Sequence, residues 1–378
     1  MKPRVLLLSA VHPPTDPRIV YKIGPSLTEH YEVICALPHA RTNDFAPGIR
    51  MVSLPYFRRL TLRLLFTHPV VLLKCLLLRP AVVHIFVPEL IPVAFLFKWL
   101  GANVIYEVQE NLFKKFEIKT TNNWIIYRLL FRHLDRIARQ HFHIVLTESA
   151  YLSVYAHLKY PASVIQNYPS LPFLDRYSSA AKEPESAPIF YYSGVVSMER
   201  SFDTLVAALV QLKHKHARFH VHMFGPVRFS LQQAYRLPGY EKIRDHITLH
   251  GYTDLKYSLS LARKSIAGIA LLKPVADYPE SYPTKLFEYM AQNLPVITSD
   301  YPLYRKVVDG ARCGFCISPY DSDKLSQTLD WLILNPKAAQ GLGKNGREAV
   351  EKKYNWVSEE EVLFSLYKKI LVSNSKIY

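Results

Sequence analysis

The chain has 378 residues, of which 49% are hydrophobic and 21% are charged. Its length favours two domains over a single core, and its composition excludes wholly disordered and fibrous classes. Its 47 Lys and Arg against 31 Asp and Glu give a formal charge of +16. Such a charge calls for an anionic partner, such as nucleic acid, a phosphorylated substrate or an acidic membrane surface.

Short apolar runs alternate with longer helical patterns in the first part of the chain. Strands are predicted near 4–9, 31–36, 50–54, 81–86, 103–107, 143–147 and 162–166, with helices at 17–29, 60–78, 121–140 and 148–158 among the elements between them. This alternation is typical of a parallel sheet flanked by helices.

A polar, proline-bearing stretch from Pro169 to Pro188 predicts a linker, and the alternation then restarts. Strands follow at 188–193, 218–224, 247–250, 266–271 and 294–298, with helices at 201–214, from 283 and from about 322. We therefore expect an α/β protein with Rossmann-like domains at 1–170 and 188–355, a linker at 171–187, and a last helix at 356–378 that returns to the first domain. Ligands of such folds bind at the carboxyl ends of the strands.

Targeting and redox signals are few. The chain starts with an apolar strand and no cleavage site, so no secretory signal is expected. The stretch from Leu60 to Val83 is apolar but interrupted by charged residues and prolines, which argues against a membrane span. Four cysteines are too few for a disulfide framework and fit a reducing cytosol. The pair Cys313 and Cys316 lies in a predicted strand and lacks a second pair of metal ligands.

The most informative segment runs from Glu280 to Glu288 and reads Glu-Ser-Tyr-Pro-Thr-Lys-Leu-Phe-Glu. Pro283 is typical of the first turn of a helix, and Ser281 is suited to cap it. The start of a helix binds diphosphates through its free N–H groups and its dipole.

The residue types around this helix start suit a nucleotide-sugar. Thr284 would add a hydroxyl and Lys285 a positive charge for the diphosphate. Glu288 would suit a ribose diol and Glu280 a sugar ring at the other end of the ligand. The alternative is an ordinary amphipathic helix with a charged first turn.

Glu280 to Ser299 also resembles a family motif, the Glu-seven-residues-Glu motif of the retaining glycosyltransferase family four, in its form P-x-K-x-x-E-Y-M-A followed by P-V-I. Four further stretches are similar to that family and follow in the expected order: AVHPPTDPR at 10–18, YEVQE at 106–110, YSGVVSMER at 192–200 and YNW at 354–356. The resemblance implies the GT-B fold, with two Rossmann-like domains facing each other across a cleft.

The same resemblance implies roles for residues in the second domain. Glu288 would bind the ribose of the nucleotide, and Glu280 would contact the transferred sugar. The diphosphate would be held by the residues from Ser281 to Lys285, which include Tyr282 and Thr284.

Two further roles concern the strand–helix turn at the start of that domain. Gly194 would let the turn approach the phosphates. Arg200 would neutralise the leaving diphosphate, although a solvated arginine at a helix start is the alternative.

This chain departs from the family pattern in two places. Many relatives have a second cation just before Arg200, where this chain has Val195-Val-Ser197, so Lys285 or Arg18 would have to supply the charge. Many relatives also have histidines where this chain has Gln109-Glu110 and His84-Ile-Phe-Val87, so a histidine that contacts the donor sugar is missing.

Candidates for the acceptor side lie in the first domain. Glu110, Asp16 and His84 are predicted to orient the acceptor hydroxyl, with helix capping or hydrogen bonding at the sheet end as alternatives. Arg18 is predicted to meet a donor or acceptor phosphate, unless it pairs locally with Asp16.

The positive charge is concentrated in residues 1–170, which hold 20 Lys and Arg against 10 Asp and Glu. No acidic residue occurs from Phe45 to Pro88, and basic residues there alternate with leucines and aromatics. A helix at 121–140 carries four arginines on one face. This pattern favours docking to an anionic membrane, over a solvated basic face or nucleic-acid binding.

No metal or cofactor is expected. His220 and His222 lack a third ligand at motif spacing, and Asp321-Ser-Asp323 is predicted to cap a helix that starts near Lys324. The first strand is followed by no Gly-x-Gly-x-x-Gly, which disfavours a nicotinamide-dependent dehydrogenase.

We therefore predict a metal-independent, retaining hexosyltransferase that uses a UDP- or GDP-linked sugar. Its acceptor would be a lipid-linked sugar or a polysaccharide in cell-surface glycan synthesis. The protein would be located at the inner face of the cytoplasmic membrane. The missing histidine and cation leave a non-catalytic nucleotide-sugar-binding or scaffold subunit as the alternative. A nucleic-acid-binding protein is the second rival, but no helix-turn-helix or RNA-binding signature supports it.

Overall fold

The computed structural model describes residues 2–41, 48–110, 125–176, 187–253 and 255–374, without the side chains of 126, 373 and 374. The chain divides into two units, one made of Met1–Asn167 with Trp356–Tyr378 and the other of Tyr168–Asn355. Each unit is described by itself below.

A seven-stranded parallel sheet forms the centre of the first unit, in the order β3-β2-β1-β4-β5-β6-β7. The strands are β1 (Arg4–Leu8), β2 (Glu32–Pro38), β3 (Ile49–Leu54), β4 (Val82–Ile85), β5 (Asn103–Val108), β6 (His143–Leu146) and β7 (Ser163–Val164). The central strands are buried along almost their whole length, as is usual in parallel sheets whose two faces are covered by helices.

The helices of this unit are α1 (Gly24–Thr28), α2 (Leu60–Leu62), α3 (His68–Cys75), α4 (Ile91–Trp99) and α5 (Ile125–His141), besides the last helix of the chain. A turn of π-helix, Ile19–Ile23, precedes α1. The helix predicted at 148–158 is wrong, because only a 3-10 turn forms there, at Ser149–Ser153.

One longer helical segment, Leu60–Leu78, contains α2 and α3. By length and composition alone this segment is a candidate to cross a membrane, whereas its charged residues and prolines predict that it does not. Only 28% of its most apolar window is buried, which distinguishes it from a core helix.

The C-terminal helix, Trp356–Asn374, belongs to the first unit although it follows the second in the chain. Leu363 and Tyr367 are fully buried in the core of the first unit. The indole Nε1 of Trp356 donates to Oγ of Ser26 at 2.9 Å. Apolar burial and this hydrogen bond fix the start of the helix.

A buried ion pair lies in this same unit. Arg18, only 3% exposed, donates from Nε and Nη2 to the two carboxylate oxygens of Glu107, at 2.7 and 3.1 Å. It also donates to the backbone oxygens of Ile165 and Gln166. Burial by itself would raise the pKa of Glu107, but Arg18 and His84 outweigh it and hold that pKa well below its usual range.

His84 is the second partner of Glu107 and has no exposed surface. Its Nδ1 lies 2.8 Å from the hydroxyl oxygen of Tyr367, and its Nε2 lies 3.5 Å from Glu107. The ring stacks on Phe86 with 4.5 Å between centroids. Burial lowers the pKa of His84, so the ring is neutral in the folded protein.

These contacts correct three assignments made from the sequence. Arg18 and His84 were predicted to meet the acceptor, but both are buried around Glu107 and have structural roles. Arg18 also cannot supply the missing cation of the donor site, because Glu107 neutralises it. Asp16 caps the turn that follows it, since its Oδ1 accepts from the N–H groups of Arg18 and Ile19 at 3.0 and 2.9 Å.

A six-stranded parallel sheet forms the centre of the second unit, in the order β10-β9-β8-β11-β12-β13. The strands are β8 (Ile189–Ser193), β9 (His220–Phe224), β10 (Ile247–Gly251), β11 (Ala267–Ala270), β12 (Val296–Ser299) and β13 (Gly314–Ile317). The α/β class and the predicted strands of both units are confirmed to within a few residues.

The helices of the second unit are α6 (Leu171–Arg176), α7 (Phe202–Lys215), α8 (Leu231–Tyr235), α9 (Tyr240–Ile243), α10 (Leu255–Lys264), α11 (Thr284–Ala291), α12 (Pro302–Ala311), α13 (Ser322–Leu334) and α14 (Pro336–Lys352). The first part of the predicted linker is α6, whose Leu174 is buried in the core of this unit, and 177–186 lie outside the described residues. Asp321 caps α13 as predicted, because its Oδ1 accepts from the N–H of Lys324 at 2.8 Å.

The ion pair generates a prediction about stability. Replacing Arg18 by Met leaves the Glu107 carboxylate buried without its cation, so we expect the free energy of unfolding to fall by roughly 3–5 kcal/mol. Arg136→Met, at an exposed position on α5, serves as the matched control and should change it by less than about 0.5 kcal/mol. Urea unfolding followed by circular dichroism measures both. Equal stability of Arg18→Met and wild type would contradict the structural role of the ion pair between Arg18 and Glu107.

Candidate functional site

Two glycines meet at the carboxyl ends of β8 and β9. Gly194 follows β8 with φ of +114°, and its N–H donates to the backbone oxygen of Phe224 at 2.8 Å. Gly225 follows β9 with φ of +126°, and a Cβ there would lie 2.2 Å from the oxygen of Gly194. Neither position accepts a side chain without backbone strain, so the strand ends stay open.

Two cationic side chains border Gly194. A Cβ built on Gly194 would lie 3.1 Å from Nη1 of Arg200 and 3.8 Å from Nζ of Lys285. Arg200 comes from the turn before α7, and Lys285 comes from the first turn of α11. Elements far apart in sequence thus bring two positive groups to one bare stretch of backbone.

Lys285 is buried, with 5% of its surface exposed. Its Nζ lies 3.8 Å from the centroid of the Tyr192 ring and has no hydrogen-bond partner among the described residues. Burial lowers the pKa of Lys285 well below its usual value, Arg200 lowers it further, and Glu288 opposes them. A buried ammonium without an acceptor is costly, so this group is unusual for a structural lysine.

Arg200 is held by tyrosines. Its guanidinium interacts with Tyr192 and Tyr278, and its Cζ lies 5.7 Å from the centroid of the Tyr278 ring. Burial disfavours the charge, but the two tyrosines outweigh burial and raise the pKa of Arg200. Arg200 therefore remains charged while its neighbour Lys285 is destabilised as a cation.

The helix α11 begins beside these two cations. Pro283 is its N-cap residue and makes no side-chain cap hydrogen bond. The prediction that Ser281 caps it is wrong, because the Ser281 hydroxyl donates to the backbone oxygen of Asp277 at 3.0 Å. Thr284, the first helical residue, is exposed, so the amino end of α11 keeps the anion-binding character of an uncapped helix start.

The two predicted carboxylates differ in environment. Glu288, one turn into α11, is half-buried and interacts with Lys285 and Tyr191. Glu280 is exposed at the end of the 3-10 turn Tyr278–Glu280. The ring of Tyr282 packs edge-on against Phe287 with 5.2 Å between centroids.

Tyr289 supports this arrangement, and its role was not predicted from the sequence. Its ring covers Gly268 of β11, where a Cβ would lie 2.3 Å from it. Its hydroxyl accepts from the N–H of Ser193 at 2.8 Å and donates to the oxygen of Ile269 at 3.2 Å. It thereby holds the end of β8 against α11. The sequence signal for this contact was the glycine of the strand Ala-Gly-Ile-Ala, which leaves room for the ring.

The assembled set therefore comprises Gly194, Arg200, Lys285, Thr284 and Glu288, and it lacks Arg18, His84 and Asp16. In the first unit, Glu110 lies just beyond β5 and is exposed, whereas the other three acceptor-side candidates predicted there are buried or cap a turn.

Histidines on β9 contact side chains of the neighbouring strand β10. Nδ1 of His222 lies 2.9 Å from Nε2 of His250, and Nε2 of His220 lies 2.7 Å from the Thr248 hydroxyl. Within the described ranges, no group of three or more His, Cys, Asp or Glu side chains is arranged to hold a metal ion.

Chemically, the site on the second unit suits a compact polyanion. It combines two cationic nitrogens, exposed backbone at Gly194 and an uncapped helix start, while Glu288 one turn away offers a carboxylate that can accept from hydroxyl groups.

Comparisons with known proteins agree with this chemistry. Residues 175–349 match the family model described as glycosyl transferases group 1. The MMP alpha-(1->4)-mannosyltransferase of Mycolicibacterium hassiacum is 28% identical over 127 residues, or 32% of this chain and 31% of that protein. The phosphatidyl-myo-inositol mannosyltransferase of Mycobacterium leprae is 30% identical over 98 residues, which is 26% of each chain. The chain thus spans about a third or less of the length of these curated relatives.

Solved structures resemble the whole fold. Sucrose-phosphate synthase from Thermosynechococcus elongatus superposes with a TM-score of 0.72 at 18% identity, covering 99% of this chain and 100% of that one. Anabaena Alr3699/HepE, solved in complex with UDP-glucose, superposes with a TM-score of 0.68 at 11% identity, covering 97% and 99%. The family match covers the greater part of the second unit, and the solved structures show that the chain has the GT-B fold.

Proposed function

We propose that this protein transfers a hexose from a UDP- or GDP-linked donor to a lipid-linked or polysaccharide acceptor. The observation that carries the proposal is the pair of cations, Arg200 and Lys285, that borders the bare backbone of Gly194. The diphosphate of the donor fits this position, because its two negative charges meet two positive ones and an uncapped helix start.

The carboxylates extend the donor site in two directions. Glu288 lies one turn into α11 and accepts hydrogen bonds from the ribose hydroxyls. Glu280, at the exposed end of its 3-10 turn, contacts the hydroxyls of the transferred sugar. The segment between them, with Ser281, Tyr282 and Thr284, lies along the diphosphate.

Catalysis then consists mainly of positioning and of stabilising the leaving group. As the bond between the sugar and the diphosphate breaks, negative charge develops on the phosphate, and Arg200 and Lys285 stabilise it. We propose that no metal is needed, because these cations supply the charge. We further propose that the configuration at the sugar is retained, by attack from the face that the diphosphate leaves.

On the acceptor side, Glu110 is the residue that we assign to orient the attacking hydroxyl. It is exposed and follows directly after β5, at the sheet end where ligands of parallel α/β units bind. One relative named above is a phosphatidyl-myo-inositol mannosyltransferase, which supports a lipid-linked acceptor for this chain.

The Leu60–Leu78 helix supports docking to a membrane surface because several of its polar side chains bond to the rest of the first unit. Arg63 donates to both carboxylate oxygens of Glu89, at 2.6 and 2.7 Å. The Thr67 hydroxyl and the Lys74 ammonium donate to backbone oxygens at 3.1 and 2.8 Å. Large apolar side chains face outward instead: Leu64, Leu65, Phe66, Leu73 and Leu77.

An apolar outer face of this kind suits the interfacial zone of a bilayer. Arg58 and Arg59 are exposed just before the helix, and each contributes about 1 kcal/mol at an anionic surface. The start of the helix packs against Phe131 of α5, whose exposed Arg132 and Arg136 add further charge. We therefore propose a peripheral location on the cytoplasmic face of the membrane.

The donor site is tested by release of nucleoside diphosphate from a panel of UDP-, GDP- and ADP-sugars, with a membrane extract as acceptor. We expect turnover with one donor, and a loss of roughly 10²–10³-fold for Arg200→Met, because the leaving group loses one charge partner. Arg236→Met, at an exposed position on α8's C-cap, should keep wild-type turnover.

Three other outcomes would reject parts of this proposal. Donor binding without turnover for any donor would favour a non-catalytic nucleotide-sugar-binding subunit. Inversion at the anomeric carbon, read by NMR of the product, would reject retention. Full activity of Arg200→Met would remove Arg200 from the donor site.

Membrane docking is tested by flotation with vesicles that contain phosphatidylglycerol. Leu73→Glu combined with Leu77→Glu should lower the bound fraction at least about tenfold, because two apolar contacts are lost and two negative charges are added. Leu231→Glu with Leu334→Glu, both 65% exposed on the second unit, is the matched control. Equal flotation of the two double variants would reject this surface, and steeply salt-dependent binding to DNA in place of vesicles would favour a nucleic-acid partner.

A further inference from the structure

We propose that Lys285 is an uncharged amine in the empty donor site and takes up one proton from solvent when a sugar diphosphate binds. The proposal rests on the proposed function and adds a property of the same site, the coupling of donor binding to protonation. It also identifies the group that replaces the cation missing before Arg200.

Nζ of Lys285 has no hydrogen-bond acceptor in the described part of the chain. It lies against the face of the Tyr192 ring, is buried, and has no hydrogen-bond partner among the residues described. The aromatic face attracts a cation, but it does not replace the water that a buried ammonium has lost. An amine in this position lacks an anion, and the open side of Gly194 is where one would bind.

The charged and titratable groups that face Lys285 are few. Arg200, from the turn before α7, repels a second positive charge beside Gly194. Glu288, on α11 itself, favours the charge but does not offset burial and Arg200. Burial raises the pKa of Tyr192 to about 12, so its ring carries no negative charge near neutral pH.

A bound diphosphate reverses this balance. Its negative charges would lie within reach of both nitrogens, and an opposite charge at that distance favours the protonated lysine. The pKa of Lys285 is therefore higher in the complex than in the empty protein. By linkage, donor affinity is independent of pH below the pKa of the empty site and falls above it, by up to about tenfold per pH unit.

The residue type fits this behaviour. An arginine would keep its charge in the buried, empty site, whereas lysine gives up its proton when buried. The empty site thus carries one cation, Arg200, and avoids two like charges beside one glycine. The second charge forms only when the ligand is there to stabilise it.

The experiment is calorimetric titration of the full-length protein with UDP-glucose and with GDP-mannose, each in two buffers of different ionisation enthalpy. The diphosphate diester of these probes has no group that titrates near neutral pH, so a buffer-dependent heat reports protons taken up by the protein. In titrations between about pH 6 and pH 8, where the bases of the probes do not titrate, we expect proton uptake that does not fall as the pH is raised.

Lys285→Met assigns the proton. It should bind the same probe about 10- to 100-fold more weakly, because a charged hydrogen bond is lost, and should take up no proton. Its melting temperature should equal or exceed that of wild type, since it removes a buried amine without a partner. Lys306→Met, at an exposed position on α12, should match wild type in affinity and uptake.

The outcomes separate this inference from the proposed function. Failure of both probes, and of their ADP counterpart, to bind wild type would reject the donor site itself. Binding to wild type without proton uptake at any pH in the range would overturn the inference alone. Undiminished uptake in Lys285→Met would also overturn it, because another group would then be the acceptor of the proton.

Discussion

The convergence of Arg200 and Lys285 on the backbone of Gly194 is the feature on which the second unit depends. Like charges side by side in a partly buried position are unfavourable, and the rings of tyrosines lie against both side chains. Burial lowers the pKa of Lys285, which reduces this repulsion in the folded protein. The arrangement is suited to an anionic ligand. The amino end of α11 begins beside the two side chains and also favours a negative charge.

In the first unit, by contrast, the buried charges of Arg18 and Glu107 are paired with each other. Arg18 and Glu107 neutralise each other in the core, with the neutral ring of His84 against the carboxylate. These groups are complete without a ligand and hold the sheet to the C-terminal helix through Tyr367. A buried charge thus marks a binding site only when its partner is missing, which separates Lys285 from Arg18.

Periodicity was sufficient to predict the α/β class and the strands, and the motif around α11 placed Lys285 and Glu288 on one helix start. Contacts between residues distant in sequence could not be predicted from periodicity or motifs. The pairing of Arg18 with Glu107 joins residues of different strand ends, and the position of Tyr192 beneath Lys285 depends on how β8 meets α11. The polar residues of Leu60–Leu78 were predicted to break an apolar stretch, but Arg63, Thr67 and Lys74 donate to Glu89 and to backbone oxygens of the same unit.

The central claim is that a sugar diphosphate lies between Gly194 and the amino end of α11. A crystal structure of the protein with UDP-glucose or GDP-mannose tests it most directly. The account predicts diphosphate oxygens within about 2.7–3.1 Å of Arg200 and Lys285, with the ribose hydroxyls on Glu288. A nucleotide bound at any other place, with Nζ of Lys285 still against Tyr192 and without an anion, would contradict it.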